Sequence, residues 1–339
     1  MFVKIFLSII MALFLTQCSD VKQSPFQKSW SLYQELFIDN GRIIDTVNKN
    51  ISHSEGQGYG LLFAVSADDR EAFKAIWSWT QHTLQRSDHL FSWKYEPCTS
   101  TDQTCITDKN NATDGDILIA WALLIAAEHW GVKEYKTQAI SILDAIKSKL
   151  IRQQFGYHLL MPANYGFDSI NGQIQINLSY WVFPAINTFF DATNDQIWND
   201  VYNSGIRLLK EARFGQWQLP PDWLMISEEG MRLEGALSQD YGYNACRLPI
   251  YLMLADVQDK TLISPFLDFW NQSTVPAVVH LDKGTVAEYR YSSGMEAIAV
   301  ATKHIIDNKV LPTLPAITAQ TDYYSASLIL LSQLSLLKE

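Results

Sequence analysis

The chain has 339 residues, 47% of them hydrophobic, enough to bury one large core. Its formal net charge of -10 repels nucleic acid and anionic membrane surfaces and suits a neutral or cationic polymer. No Lys/Arg run, low-complexity tract or Pro/Ser-rich linker divides the sequence, so one domain is expected over residues 19–339.

At the N-terminus, Lys4 precedes an apolar run from Ile5 to Leu15, which reads as a signal peptide (residues 1–18) rather than a membrane anchor. Leu15-Thr-Gln-Cys18 is similar to a lipoprotein cleavage box, although Gln17 replaces the small residue usual before the cysteine. The expectation is a lipid tether through Cys18 in the periplasm or at the outer membrane; plain secretion is the alternative. An oxidising compartment favours a local disulfide between Cys98 and Cys105, which flank a short polar loop. Closing so short a loop contributes less than about 3 kcal/mol. Cys246 is left over and reads as a small buried hydrophobe. No Cys/His spacing points to a metal, and no cofactor is expected.

Helical spacing recurs at about 26–38, 55–67, 70–86, 114–130, 133–151, 180–191, 195–212, 241–255, 260–272, 292–307 and 322–337. Residues 157–176 alternate like a hairpin, and 283–291 can hold a short strand. Very apolar helices alternate with amphipathic ones, so the predicted fold is all-α in two concentric layers, the apolar helices inside.

Two helix starts carry acids. In Asn111-Ala-Thr-Asp-Gly-Asp116, Thr113 and Asp116 have capping-box spacing, and every residue from Ile117 to Ala127 is apolar. A wholly buried helix therefore begins with Asp114 and Asp116 in its first turn. Bare acids are rare in such helices; capping, at about 1 kcal/mol each, is the simpler explanation. Ser54-Glu-Gly-Gln57 is a second capping box, which puts Glu55 at the first helical position of another apolar helix. If both N-termini share one end of a helical barrel, Glu55 and Asp114 face one pocket. Paired carboxylates in a cleft are the equipment of glycoside hydrolysis.

Ala112–Trp130 resembles the signature of glycoside hydrolase family 8. Ser54-Glu-Gly-Gln-Gly-Tyr-Gly60 resembles that family's general-acid segment, Gly41-Arg-Ile-Ile-Asp45 the stretch upstream of it, and Tyr241-Gly-Tyr-Asn-Ala-Cys-Arg-Leu-Pro249 its base segment. The matches keep the family's order from about residue 30 to the C-terminus, and look most like its periplasmic endoglucanases that accompany bacterial cellulose synthases. The resemblance implies an (α/α)6 barrel with small β-hairpin excursions and a cleft across one end. It assigns Glu55 as general acid, Asp114 as the acid that grips and distorts the sugar, and Arg247 as the arginine that orients them.

The sequence departs from the family at the base. Many members have Asp where this chain has Asn244, and a neutral amide cannot act as general base. Three readings stay open. The base comes from the preceding loop, with Asp240 nearest and Glu228, Glu229 and Glu234 behind it; or Asn244 orients the water while Asp114 assists; or the chain only binds glycan. For stacking on sugar faces, Trp93, Tyr180 and Trp181 match family positions near the cleft. Tyr243 adjoins the base segment, and Tyr323 opens the last helix. Trp77, Trp79, Trp121 and Trp198 read as core, while Trp217 and Trp223 fit either role. The expected activity is an inverting endo-β-1,4-glucanase acting on cellulose or a related β-glucan polysaccharide, functionally linked to a polysaccharide synthase, as a monomer. The alternatives are a catalytically silent glycan-binding protein, or a hydrolase of chitosan, xylan or mixed-linkage glucan.

Overall fold

The computed structural model describes residues 23–98, 105–168, 172–235, 237–257, 259–307 and 313–337. The apolar leader and Cys18 lie outside the described residues, as does the tip of the loop between Cys98 and Cys105. Those two cysteines are joined in a disulfide, and Cys246 is free and buried.

Among the described residues eleven α-helices form: α1 (Pro25–Phe37), α2 (Ser54–Ser66), α3 (Arg70–Thr83), α4 (Thr113–Trp130), α5 (Lys133–Lys149), α6 (Phe183–Thr193), α7 (Gln196–Glu211), α8 (Leu248–Leu254), α9 (Lys260–Trp270), α10 (Ser293–Asp307) and α11 (Tyr323–Ser335). Six of them close a ring, each packed on the next: α2, α4, α6, α8, α10, α11 and back to α2. The other five lie outside it, α3 against α2, α5 against α4, α7 against α6, α9 against α7 and α10, and α1 against α11. This is the (α/α)6 barrel. None of these helices is long and apolar enough to cross a membrane.

Sequence explains the layering. Outer helix α3 buries Phe73, Ile76, Trp77 and Thr80, one stripe at helical spacing. Inner helices α2 and α4 bury residues on every side, and almost no side chain from Tyr59 to Val65 or from Ile117 to Leu124 reaches solvent. Two glycines let those helices touch. A Cβ on Gly58 would lie 2.5 Å from Leu118 Cβ, and one on Gly115 would lie 2.8 Å from the backbone nitrogen of Glu55. The acid-bearing first turns of α2 and α4 are therefore backbone against backbone.

Short antiparallel ladders fill the loops. The predicted hairpin at 157–176 is displaced: strand 151–154 pairs with 157–160, whereas 174–176 joins the edge of 224–227. The expected strand in 283–291 is the half-hairpin 285–286, paired with 279–280. Both capping boxes are wrong in detail. His53, not Ser54, caps α2, its Nδ1 accepting from Gly56 N–H at 3.0 Å. Gln57 instead accepts from Ile43 N–H and donates to Gly41 O and Thr80 Oγ1, pinning the upstream segment to the barrel. Thr113 makes no cap either; its hydroxyl donates to Met161 O at 2.6 Å. Only the stop of α4 is as read, with Gly131 in the left-handed conformation at φ 67°.

Gly115→Ala tests the close approach. The added methyl would meet the Ser54 hydroxyl and, behind it, backbone atoms of Ser54 and Glu55 at 2.8 Å that cannot swing away, so the variant should lose about 1–3 kcal/mol. Thermal unfolding should show a melting temperature several degrees lower; an unchanged value would mean that the two helices do not approach this closely.

Candidate active site

Arg247 stands at the end of the inner ring, 1% exposed. It belongs to a single 3-10 turn, Ala245–Arg247, that runs straight into α8. The predicted helix from 241 is thus loop up to Asn244, and this loop lets the guanidinium turn back over the site. Its Nη1 lies 2.9 Å from Glu55 Oε2 and 3.5 Å from Asp114 Oδ2, and donates to Tyr59 Oη at 3.3 Å. Its Nη2 donates to Ser179 Oγ at 2.9 Å and to Asn244 Oδ1 at 3.0 Å. Five side chains from four segments thus converge on one cation.

The two acids differ in environment. Asp114 is 1% exposed, while the Glu55 side chain keeps 19% of its surface and lines the cleft. Burial and then the nearby Glu55 charge push the Asp114 pKa well above the usual carboxylate range. Burial also acts on Glu55, but the Arg247 guanidinium and a hydrogen bond from Asp114 outweigh it and hold its pKa low. The two acids are thus pushed apart, Asp114 toward holding a proton and Glu55, which faces the cleft, toward the anion. Asp116 is not part of this pair. Its carboxylate accepts from Phe91 N–H and Asn111 Nδ2, and burial pushes its pKa up to about 7. It ties the loops around α4 together.

The cleft at Glu55 has a volume of about 650 Å³. Asp45, Asn48, His53 and Asp322 line one side with polar groups, and Tyr243 and Tyr324 the other. Tyr323 lines it too but is 2% exposed and packs edge-on against His53. Tyr243, 44% exposed, offers an open ring face. Tyr180 is half-buried and lies within electrostatic reach of Asp114 and Glu55. Trp223 meets it at 6.0 Å and stacks on Phe167 at 5.5 Å, making an aromatic wall. Trp93 sits at the start of α2, where its carbonyl accepts from Ser54 N–H, and its ring is half-buried beneath Lys94.

One expectation fails, and another is not realised in this structure. Trp181 is fully buried, with its indole N–H donated to Val201 O, because residues 178–180 form a 3-10 turn and α6 starts only at Phe183. It is core and presents no face to a sugar. Asp240 is not brought to the acids: its carboxylate pairs with His280 Nδ1 at 3.0 Å and is not among the described residues lining the cleft at Glu55. Glu228 and Glu229 line a separate groove beside Phe155, and Glu234 accepts from Gln173. Two features escaped the sequence reading. Ser179 follows Asn177 by two residues, with no signal beyond an Asx-turn pattern. Asp222, in Pro220-Pro-Asp-Trp223, receives backbone N–H groups from 242, 244 and 245. A buried acid after two prolines was the available clue.

Arg247→Met removes the counter-charge from Glu55. Breaking a buried pair costs about 3–5 kcal/mol. The native Glu55 pKa is depressed, so its stabilisation is present above the unfolded pKa of about 4.3 and fades as pH falls below it. Urea unfolding should therefore show a wide gap between wild type and variant at pH 7 and a narrower one at pH 3.5. A gap independent of pH would place the role of Arg247 elsewhere.

The profile of "Glycosyl hydrolases family 8" matches residues 3–337. A probable endoglucanase of Novacetimonas hansenii is 37% identical over 92% of this chain and 91% of its own length. An endoglucanase of Cellulomonas uda is 35% identical over 80% and 76%. Among solved structures, the endo-β-1,4-glucanase CMCax of Acetobacter xylinum superposes with a TM-score of 0.85 at 35% identity, covering 93% of this chain and 99% of that one. A cold-adapted family 8 xylanase shares the fold at 20% identity, with a TM-score of 0.72. With its carboxylate pair and buried arginine at one end of an (α/α)6 ring, this chain belongs to glycosyl hydrolase family 8.

Proposed function

We propose that this chain is an inverting endo-β-1,4-glucanase that cuts cellulose or a related β-1,4-linked exopolysaccharide. The observation that carries this reading is the Glu55–Asp114–Arg247 cluster, which lines the cleft through Glu55 and Arg247, in a family whose similar members are named endoglucanases. Glu55 donates its proton to the leaving glycosidic oxygen as the bond to the anomeric carbon breaks. Water attacks from the opposite face and gives its proton to a base in hydrogen-bond contact with it, whose carboxyl group stands roughly 6.5–9.5 Å from that of Glu55, inverting the centre. The proton that Glu55 delivers comes from the pair. A sugar hydroxyl that binds Asp114 displaces its hydrogen bond to Glu55, and exclusion of water weakens the preference for an ionised Glu55. Tyr243, Tyr180 and Trp223 supply faces for the glucan.

The base is drawn from the loop before Asn244. Glu228 and Glu229 face another groove. Asp240 comes first, since its backbone carbonyl is bonded to Asp222 N–H and so to the site; Glu234, which accepts from Gln173 Nε2 and whose neighbour Gly235 lies against Gln175, is second. Either needs the loop to fold inward over bound glucan. A second reading, binding without turnover, is favoured by Asn244 alone. The disulfide and the apolar leader support action outside the cytoplasm, in the periplasm or tethered at the outer membrane, on polymer leaving a synthase.

Reducing-end release from carboxymethylcellulose tests this. Glu55→Gln should lower turnover about 10²–10⁴-fold with glucan binding retained. Asp240→Asn should be as damaging if Asp240 is the base; near-normal rates there with loss in Glu234→Gln would move the role to Glu234. A silent wild type with an active Asn244→Asp variant would establish the binding-only reading.

A further inference from the structure

We propose that Asp222 is a positioning residue of this active site, holding the loop that aims Asn244 and Arg247 at the acid pair. The side chain is 6% exposed, yet it is a carboxylate outside the Glu55–Asp114 pair. Its Oδ1 receives three backbone N–H groups, from Gly242 at 3.1 Å, Asn244 at 3.0 Å and Ala245 at 2.7 Å. Those donors are the turn that enters the 3-10 segment ending at Arg247. The next links are already fixed by that turn: Asn244 O accepts from Arg247 N–H, and Asn244 Oδ1 from Arg247 Nη2.

Asp222 is itself anchored beside the aromatic cluster of Trp223, Phe167 and Tyr180. Its N–H donates to Asp240 O at 2.6 Å, and the following residue, Trp223, packs against Phe167 and Tyr180. One acid thus bolts the aromatic wall to the cationic floor. Gly242 leaves room for it, because a Cβ there would sit 3.0 Å from Asp222 Oδ2. Three N–H donors on one oxygen satisfy an anion as a helix N-terminus does. Burial pushes the pKa of this carboxyl up to about 6, but Oδ1 is taken up by its three donors and Asp222 is not among the described residues lining the cleft at Glu55. Its work is therefore geometric. Misplacing reacting groups by an ångström costs about 10²-fold in rate, so a slackened turn should show in kcat.

The reading rests on the glucanase activity, so one readout is independent of turnover. Asp222→Asn keeps a carbonyl oxygen able to accept all three N–H groups; Asp222→Ala keeps none. Deuterium exchange of the peptide spanning 241–247 should accelerate in the Ala variant and stay near wild type in the Asn variant, whether or not the enzyme turns over. With carboxymethylcellulose, kcat should fall about 100-fold for Ala with KM within about threefold, and the Asn variant should keep at least about a tenth of wild-type kcat. If Ala does not fold, Asp222→Ser, which offers a single acceptor oxygen on a shorter arm, takes its place under the same criteria. A folded Ala or Ser variant with wild-type kcat and exchange would reduce Asp222 to a stabilising residue and overturn the proposal. An Asn variant as inactive as Ala, with normal exchange, would make Asp222 a proton-transfer group and overturn it equally.

Discussion

The active end of this barrel depends on a guanidinium withdrawn from water. Burying such a charge costs several kcal/mol before any partner is counted. Arg247 offsets that through Glu55, Asp114, Tyr59, Ser179 and Asn244, with Tyr59 backed in turn by Tyr251 at 2.6 Å. These partners come from α2, α4, the turn before α6 and the segment before α8, so the charge requires the ring to close in one register. A buried pair of this kind is weak support for stability taken alone. Its value lies in electrostatics: beside one fixed cation, two neighbouring acids are pushed apart, Glu55 toward the anion and Asp114 toward holding a proton.

Packing and chemistry meet at the first turns of α2 and α4. Gly115 lets the two turns touch, and that contact brings Glu55 and Asp114 within hydrogen-bonding range. The helices behind them are apolar all round, which excludes water from Asp114 and raises its pKa. Layer order, helix contact and proton placement are thus consequences of the same two runs of apolar residues.

Those runs explain what was legible in the sequence. Periodicity and all-round apolarity reported the helices, their layers and the two acid-bearing starts, because these are properties of neighbours along the chain. The His53 cap was misread because Ser54 offers an equally good local pattern; the choice is made by Gln57, which is recruited by Ile43, Gly41 and Thr80 from other segments. Trp181 was misplaced for a similar reason. Its neighbour Tyr180 lies within electrostatic reach of Asp114 and Glu55, and the 3-10 turn at 178–180 turns Trp181 into the core over Gly205. The role of Asp222 depends on backbone N–H groups about twenty residues away, which no side-chain pattern encodes.

Asn244 can be understood from the same charge balance. An aspartate there would put a third carboxylate within 3.0 Å of Arg247, where Asn244 Oδ1 now accepts. One cation would then serve three acids, and its hold on Glu55 would weaken. With the amide in place the guanidinium is devoted to Glu55 and Asp114, and Glu55 is the stronger acid in the empty cleft. The amide still fixes the arginine by accepting from Nη2. In the mechanism proposed above, a base set apart from this cluster, on the loop that borders it, would take the water's proton without competing for Arg247. Under that mechanism the amide would separate proton donor and acceptor electrostatically, the base would depend on loop position, and the hydrogen bond from Asp222 N–H to Asp240 O would become part of the catalytic geometry.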